Sequence, residues 1–200
     1  MKLGLFGGSF DPIHRGHVEP VRAALAEVGL DRVLYLPTAR PPHKQIRKLA
    51  PPWGRFAMVE LALLGEPRLQ VSPYELQLER PAYTVETLEH FRRELPDAEL
   101  HLLIGEDSFR DLTQWVRWTD IARLANLVVL ARPLGGAIAE PLPDELRALA
   151  DGPKVRFVRD RPVDASSTAI RAALERGEEP PAGALADPVV QYIHKYRLYR

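Results

Sequence analysis

The 200-residue sequence contains no cysteine, which excludes disulfides, thiolate nucleophiles and thiolate metal sites. It has no apolar run near the roughly 20 residues that a membrane span requires. The apolar start Lys2–Phe6 is broken by glycines and Asp11 too early for a secretory signal, so a cytoplasmic enzyme is expected. Net charge is absent, with 27 basic and 27 acidic residues, and a neutral chain is a poor general nucleic-acid binder. There is no Asp/Glu/His grouping at metal-ligand spacing, and no carboxylate pair or Ser/His/Asp set for covalent or acid–base work. Repeats and a domain linker are also lacking, and the length suits one domain over residues 1–200 with a substantial core. Methionine is scarce at two residues while proline is plentiful at 19, a composition of stiff loops that hints at a heat-adapted source.

One local absence carries more information. No acidic residue falls between Asp31 and Glu60, whereas Arg32, Arg40, Lys44, Arg47, Lys48 and Arg55 all do. A basic segment in a neutral chain is either a solvated loop of uneven charge or the approach to a small anionic ligand. Its proline-rich part, Ala39–Trp53, is too long to be a plain connection.

Apolar periodicity predicts strands at Lys2–Phe6, Arg32–Leu36, Arg68–Ser72, Glu99–Ile104, Leu127–Ala131 and Lys154–Val158. It predicts helices at Gly16–Val28, Gly54–Leu64, Thr84–Leu95, Thr119–Leu124, Glu145–Ala150, Ser167–Arg176 and from Asp187 to about Tyr196. Thr84, Thr119 and Asp187 read as N-caps, with Pro188 at the first helical position. Strands alternating with helices predict an α/β fold, a doubly wound and mainly parallel sheet with helices on both faces. In such sheets ligands lie beyond the carboxyl ends of the strands. Gly7–His17, Thr38–Lys44, Gly105–Asp107, Arg132 and Asp164–Arg171 all follow predicted strands and so converge on one crevice.

The most informative stretch is Gly7–His17, Gly-Gly-Ser-Phe-Asp-Pro-Ile-His-Arg-Gly-His. It lies between the first strand and a helix whose face carries Val18, Val21, Leu25 and Val28. Gly7 and Gly8 allow a sharp turn with exposed amides, and the helix N-terminus favours an anion. His14 and His17, three apart, can face that anion together. The P-loop pattern needs a Lys-Ser/Thr pair that is missing, and the dinucleotide fingerprint places its glycines elsewhere. A second stretch, Asp164-Ala165-Ser166-Ser167-Thr168-Ala169-Ile170-Arg171, sets three hydroxyls at a helix start with Arg171 one turn on. These are helix caps or phosphate donors.

Gly7–His17 resembles the HxGH signature of the nucleotidyltransferases, and its wording is most similar to the nicotinate-nucleotide adenylyltransferase family. The similarity extends over nearly the whole chain, down to Tyr192–Tyr199. It implies a Rossmann-like nucleotidyltransferase fold. It also implies an activity: the adenylyl group of ATP passes to nicotinate mononucleotide, giving nicotinate adenine dinucleotide and pyrophosphate in NAD biosynthesis. Mg²⁺ would be carried by the ATP phosphates, with no protein metal site. The partners would be ATP and nicotinate mononucleotide, without nucleic acid or membrane; a homo-oligomer is compatible.

Residue by residue, the resemblance makes His14, His17 and Arg171 catalytic. It gives ATP to Gly7, Gly8, Ser9, Phe10, His14, His17, Gly105, Asp107, Ser166, Ser167, Thr168 and Arg171. The mononucleotide side falls to Lys44, Tyr83, Thr84, Trp115 and Arg132. Several of these have plainer alternatives: Thr84 as a cap, Asp107 as a turn residue, Trp115 as packing. Val116 after Trp115 departs from the larger or polar residue many members carry. A phosphopantetheine-adenylating relative would show Thr-x-Gly-His with an acidic residue soon after, and a silent nucleotide-binding regulator would lose a histidine or Arg171. A nucleic-acid-binding module would need the base-stacking motif that is absent here.

Overall fold

The computed structural model describes residues 1–39, 49–131, 142–159, 163 and 165–200. Lys44 and Arg132, with the other predictions at 40–48, 132–141, 160–162 and 164, lie outside the described residues. The elements in order are β1 (Lys2–Gly8), α1 (Arg15–Glu27), β2 (Arg32–Pro37), α2 (Pro52–Ala62), β3 (Leu69–Val71), α3 (Thr84–Glu94) and β4 (Glu99–Gly105). They continue with α4 (Glu106–Arg110), α5 (Trp118–Leu124), β5 (Asn126–Ala131), α6 (Asp144–Ala150), β6 (Val155–Arg159), α7 (Ser167–Glu175) and α8 (Asp187–Tyr196). The strands make one sheet in the order β3-β2-β1-β4-β5-β6, in which β1–β4, β4–β5 and β5–β6 are parallel. This is the doubly wound order whose switch point lies between β1 and β4, as the strand–helix alternation predicts. Among the described residues, no helix is long and apolar enough to cross a membrane.

By contacts the chain divides into two compact units. The first comprises Met1–Gly7, Pro20–Leu34 and Tyr83–Pro162. Its strands are nearly continuous apolar runs because both sheet faces are covered: Leu3, Leu5, Leu100, Leu102, Leu103, Leu127, Val128 and Val129 are all buried. Each such side chain contributes about 1.5–3 kcal/mol. Gly4 is where β1 must be thin, since a Cβ there would sit 2.8 Å from Val33 Cγ2 and 3.1 Å from Leu103. Phe109 of α4 meets Phe157 of β6 edge-on at 5.6 Å. Arg92 closes α3 by donating to the carbonyls of Ala98 and Leu124 at 2.8 and 2.9 Å.

The second unit comprises Gly8–Glu19, Tyr35–Ala82 and Val163–Arg200. There α2 packs against α8, with Met58, Val59, Ile170, Val189 and Ile193 buried.

Helix starts differ from the sequence expectation. Thr84 is the first residue of α3, and the cap position belongs to extended Tyr83, with no side-chain cap. α5 starts at Trp118 after left-handed Arg117 rather than on a Thr119 cap. Ala186 caps α8, which puts Asp187 inside the first turn, where its charge complements the helix dipole. α2 begins at Pro52, two residues before the expected Gly54, because a proline pre-set for helical φ opens it. The five-residue α4 was not expected from periodicity, being too short to show one.

Candidate active site

The geometry starts at the glycine turn. A Cβ on Gly8 would lie 2.9 Å from the Phe10 ring, so only glycine lets that ring fold beneath the strand end. Phe10 is 1% exposed and holds a left-handed φ of 46°, a conformation that bulky residues adopt only under strong local constraint. The constraint is aromatic: its ring meets His17 edge-on at 5.3 Å and Tyr35 at 5.6 Å. The Asp11–Pro12 peptide that follows is cis.

His14-Arg15-Gly16-His17 then opens α1. The His14 amide donates to His17 Nδ1 at 3.3 Å, and the His17 amide donates to the His14 carbonyl at 2.8 Å. The two rings lie 3.9 Å apart, tilted by 35°. An acceptor role for Nδ1 fixes neutral His17 as the Nε2–H tautomer. The Tyr35 hydroxyl holds the His17 carbonyl at 3.0 Å. Gly16 has its own reason: a Cβ there would lie 2.9 Å from His14 Cε1 and 3.0 Å from its Nδ1. His14 is buried, its Nδ1 lacks a partner among the described residues, and burial drives its pKa down to about 4. At neutral pH it is an uncharged ring.

At the start of α1, where the sequence reading expects an anion, two amides are occupied. Arg15 N–H donates to the Ala184 carbonyl at 2.9 Å, and His17 N–H is taken as described. The hydroxyls of α7 depart from capping in the other direction. Ser166 occupies the cap position but makes no side-chain cap bond. Ser167 Oγ donates to the Pro12 carbonyl at 3.0 Å, and Thr168 Oγ1 accepts from Arg171 Nη2 at 3.3 Å. Arg171 Nη1 donates to the Asp11 carbonyl. So α7 is tied by side chains to the turn that carries the two histidines. The second unit thereby brings together Gly8, Ser9, Phe10, His14, His17, Ser166, Ser167, Thr168 and Arg171.

Three further residues hold this arrangement. Sequence reading gave Asp11 and Tyr199 no role of their own. It counted Arg55 only in the basic segment, as solvated loop or approach to an anion, which its burial corrects. Arg55 is fully buried; it donates Nε to Ala50 at 3.1 Å, Nη1 to Ser9 and Nη2 to Thr38 at 2.7 Å, all main-chain carbonyls. Burial lowers its pKa, and the Asp11 charge works against that fall. Asp11 itself accepts from Ala50 N–H at 3.0 Å and from the Tyr199 hydroxyl at 2.8 Å. A cation set among the buried Met58 and Val59 of α2 is a signal the sequence offers for Arg55. Tyr199 offers none.

In the first unit, Gly7 is the next-to-last residue of β1 and Gly105 ends the adjacent parallel strand β4. A Cβ on either would meet nothing within 4 Å, so protein packing does not explain these glycines. Asp107 is exposed in the first turn of α4. Tyr83 and Thr84 stand at the start of α3, Tyr83 exposed, and Trp115 is half-buried beside exposed Val116.

A Rossmann-order sheet with paired imidazoles, hydroxyls and a guanidinium on one glycine turn defines a nucleotidyltransferase. Residues 5–173 match the family model described as cytidylyltransferase-like. A relative from Laribacter hongkongensis, named "Probable nicotinate-nucleotide adenylyltransferase", is 43% identical over 99% of this chain and 94% of its own length. One of the same name from Gloeobacter violaceus is 36% identical over 99% of this chain and 96% of its own. The structure of Plasmodium falciparum nicotinic acid mononucleotide adenylyltransferase complexed with NaAD has a TM-score of 0.78 at 16% identity, covering 99% of this chain and 97% of that one. That likeness speaks for the fold. The chain belongs to the nicotinate-nucleotide adenylyltransferase family.

Proposed function

We propose that the protein joins nicotinate mononucleotide to the adenylyl group of ATP through the site built on Gly7–His17. The observation that carries this reading is the tie of Ser167 and Arg171 to Pro12 and Asp11, which gathers phosphate-binding groups on the histidine turn. The 5′-phosphate oxygen of the mononucleotide attacks the α-phosphorus of ATP; one P–O bond forms, the bond to the β-phosphate oxygen breaks, and pyrophosphate leaves. A phosphate monoester, with a second pKa of about 6, is already ionised, so no general base is required. What remains is positioning and charge stabilisation.

His17, through Nε2–H, and the turn amides of Gly7–Phe10 meet the α-phosphate. His14 and Arg171 meet the departing pyrophosphate, and Ser166, Ser167 and Thr168 offer hydroxyls to the phosphate chain. His14 acts first as a neutral donor, and the arriving anion draws its pKa upward. Gly105 and Asp107 serve the adenosine ribose; Lys44, Tyr83, Thr84, Trp115 and Arg132 serve the mononucleotide. The donors here are N–H, O–H and guanidinium groups, which fit phosphate oxygens rather than a hard cation, so Mg²⁺ is held by the ATP phosphates. We place the whole reaction on one domain, residues 1–200.

The test follows pyrophosphate release from ATP and Mg²⁺ with nicotinate mononucleotide, with phosphopantetheine and with no acceptor. Release is expected with the mononucleotide alone. Release with phosphopantetheine instead, or none with any acceptor, overturns the assignment.

A further inference from the structure

Asp11 lies between two guanidiniums and a phenol. It is 1% exposed, and its Oδ1 accepts from Ala50 N–H at 3.0 Å and from Tyr199 Oη–H at 2.8 Å. Its Oδ2 has no hydrogen-bond partner among the described residues and lies 3.8 Å from Arg171 Nη1. Arg171 instead donates to the main-chain carbonyl of Asp11 and to Thr168. A guanidinium beside a buried carboxylate frequently forks onto both oxygens; here it does not: Oδ1 carries two other donors and Oδ2 stands 3.8 Å from Nη1.

Tyr199 is placed at some cost. It follows α8 with a left-handed φ of 65°, which a bulky side chain rarely adopts unless its surroundings require it. Burial, and then the Asp11 charge, push its phenol pKa well up, so it stays a donor throughout the neutral range. Arg55 directs its donors to the carbonyls of Ala50, Ser9 and Thr38, which keeps the turn and the Ala50 amide in register with Asp11.

We propose that Tyr199 is a positioning residue of the adenylyl-transfer site: by holding Asp11 Oδ1 it prevents the carboxylate from capturing Arg171, leaving that guanidinium to bind phosphate. The inference rests on the role given to Arg171 above. With the hydroxyl gone, Asp11 keeps one donor on Oδ1 and can turn to close the 3.8 Å gap to Arg171. A paired arginine presents less charge to an incoming anion.

The test uses the full chain and two readouts, pyrophosphate affinity by calorimetry and steady-state kinetics. Tyr199→Phe is expected to bind pyrophosphate about 10-fold more weakly and to lose about 10-fold in kcat, with KM for nicotinate mononucleotide unchanged. Asp11→Asn keeps an acceptor for Tyr199 and Ala50 but cannot capture Arg171 by charge. That variant alone is expected to bind pyrophosphate at least as tightly as wild type, and Asp11→Asn combined with Tyr199→Phe should recover most of the lost affinity. A purely structural role gives the reverse, the double variant being weaker than either single. That result overturns the inference, as does a Tyr199→Phe protein within twofold of wild type in both readouts. If wild type makes no dinucleotide from ATP and the mononucleotide, the proposed function fails; the pyrophosphate series still decides the role of Tyr199.

Discussion

Gly16→Ala separates catalysis from folding more cleanly than a histidine deletion does. The new Cβ would stand 2.9 Å from His14 Cε1 and 3.0 Å from Nδ1, where ordinary contact begins at 3.4 Å. The His14 ring must therefore retreat by roughly half an ångström or more, and it rests against His17 at 3.9 Å between centroids. A displacement of about 1 Å at a positioning group can cost about 10²-fold in rate. Fold stability moves the other way. Gly16 lies in the first turn of α1, and alanine is preferred over glycine in helices by up to about 1 kcal/mol, or roughly 2–4 °C in Tm at this size. The expected outcome is a protein with unchanged or raised Tm and a kcat lower by about 10–10²-fold, measured as pyrophosphate release at saturating ATP and nicotinate mononucleotide. A variant within twofold of wild-type kcat would refute the reasoning, since the ring would then have moved without consequence. A large fall in Tm would refute it from the other side.

Other expectations follow from the same geometry. His17→Ala should keep the fold and lower kcat by about 10²–10⁴-fold, roughly 3–5 kcal/mol of transition-state stabilisation; more than half the wild-type kcat would contradict the role of its ring. His14 gives a pH signature. Its pKa is about 4 when folded against 6.5 when free, so the unfolded chain takes the proton first. Its contribution is full above pH 6.5 and is lost as pH falls toward 4, by about 3 kcal/mol. Denaturant titrations should show that slope, and His14→Asn should flatten it. Finally, nicotinate mononucleotide should be preferred over the amide by at least about 10²-fold in kcat/KM. Donors that fit two carboxylate oxygens leave one unpaired against an NH₂, at roughly 1–3 kcal/mol, with further loss of charge assistance. Equal kcat/KM for acid and amide would count against the mononucleotide contacts proposed for Tyr83, Thr84 and Trp115.

The α/β order was legible because the strands are buried on both faces and spell nearly continuous apolar runs, Leu100–Ile104 most clearly with only His101 interrupting it. Gly7 and Gly8 read as freedom for a sharp turn, whereas the reason at Gly8 is the Phe10 ring; the reason at Gly16, the His14 ring, had no signal in the sequence. The caps were misread at Thr84, Thr119 and Asp187 because residues suited to the cap position are as acceptable inside the first turn. Arg55 was misassigned to the basic segment and Tyr199 overlooked for another reason. Their partners are main-chain carbonyls and a carboxylate far away in the chain, up to 188 residues for Tyr199 and Asp11, and nothing local announces such a bond.

The tie between Ser167 and Pro12 spans 155 residues, and it has a consequence for how the protein comes into being. During synthesis at about 5–20 residues per second, the histidine turn is exposed for on the order of ten seconds before α7 is made. In that interval the turn lacks its arginine and hydroxyls, and Asp11 has neither Arg171 nor Tyr199. A nascent chain at that stage lacks the Arg171 and hydroxyl groups that the proposed reaction assigns to the phosphate chain. Long-range closure of this kind also slows folding relative to locally assembled sites. The tie of α7 to the histidine turn is thus acquired late, as one of the last events of the chain's own production.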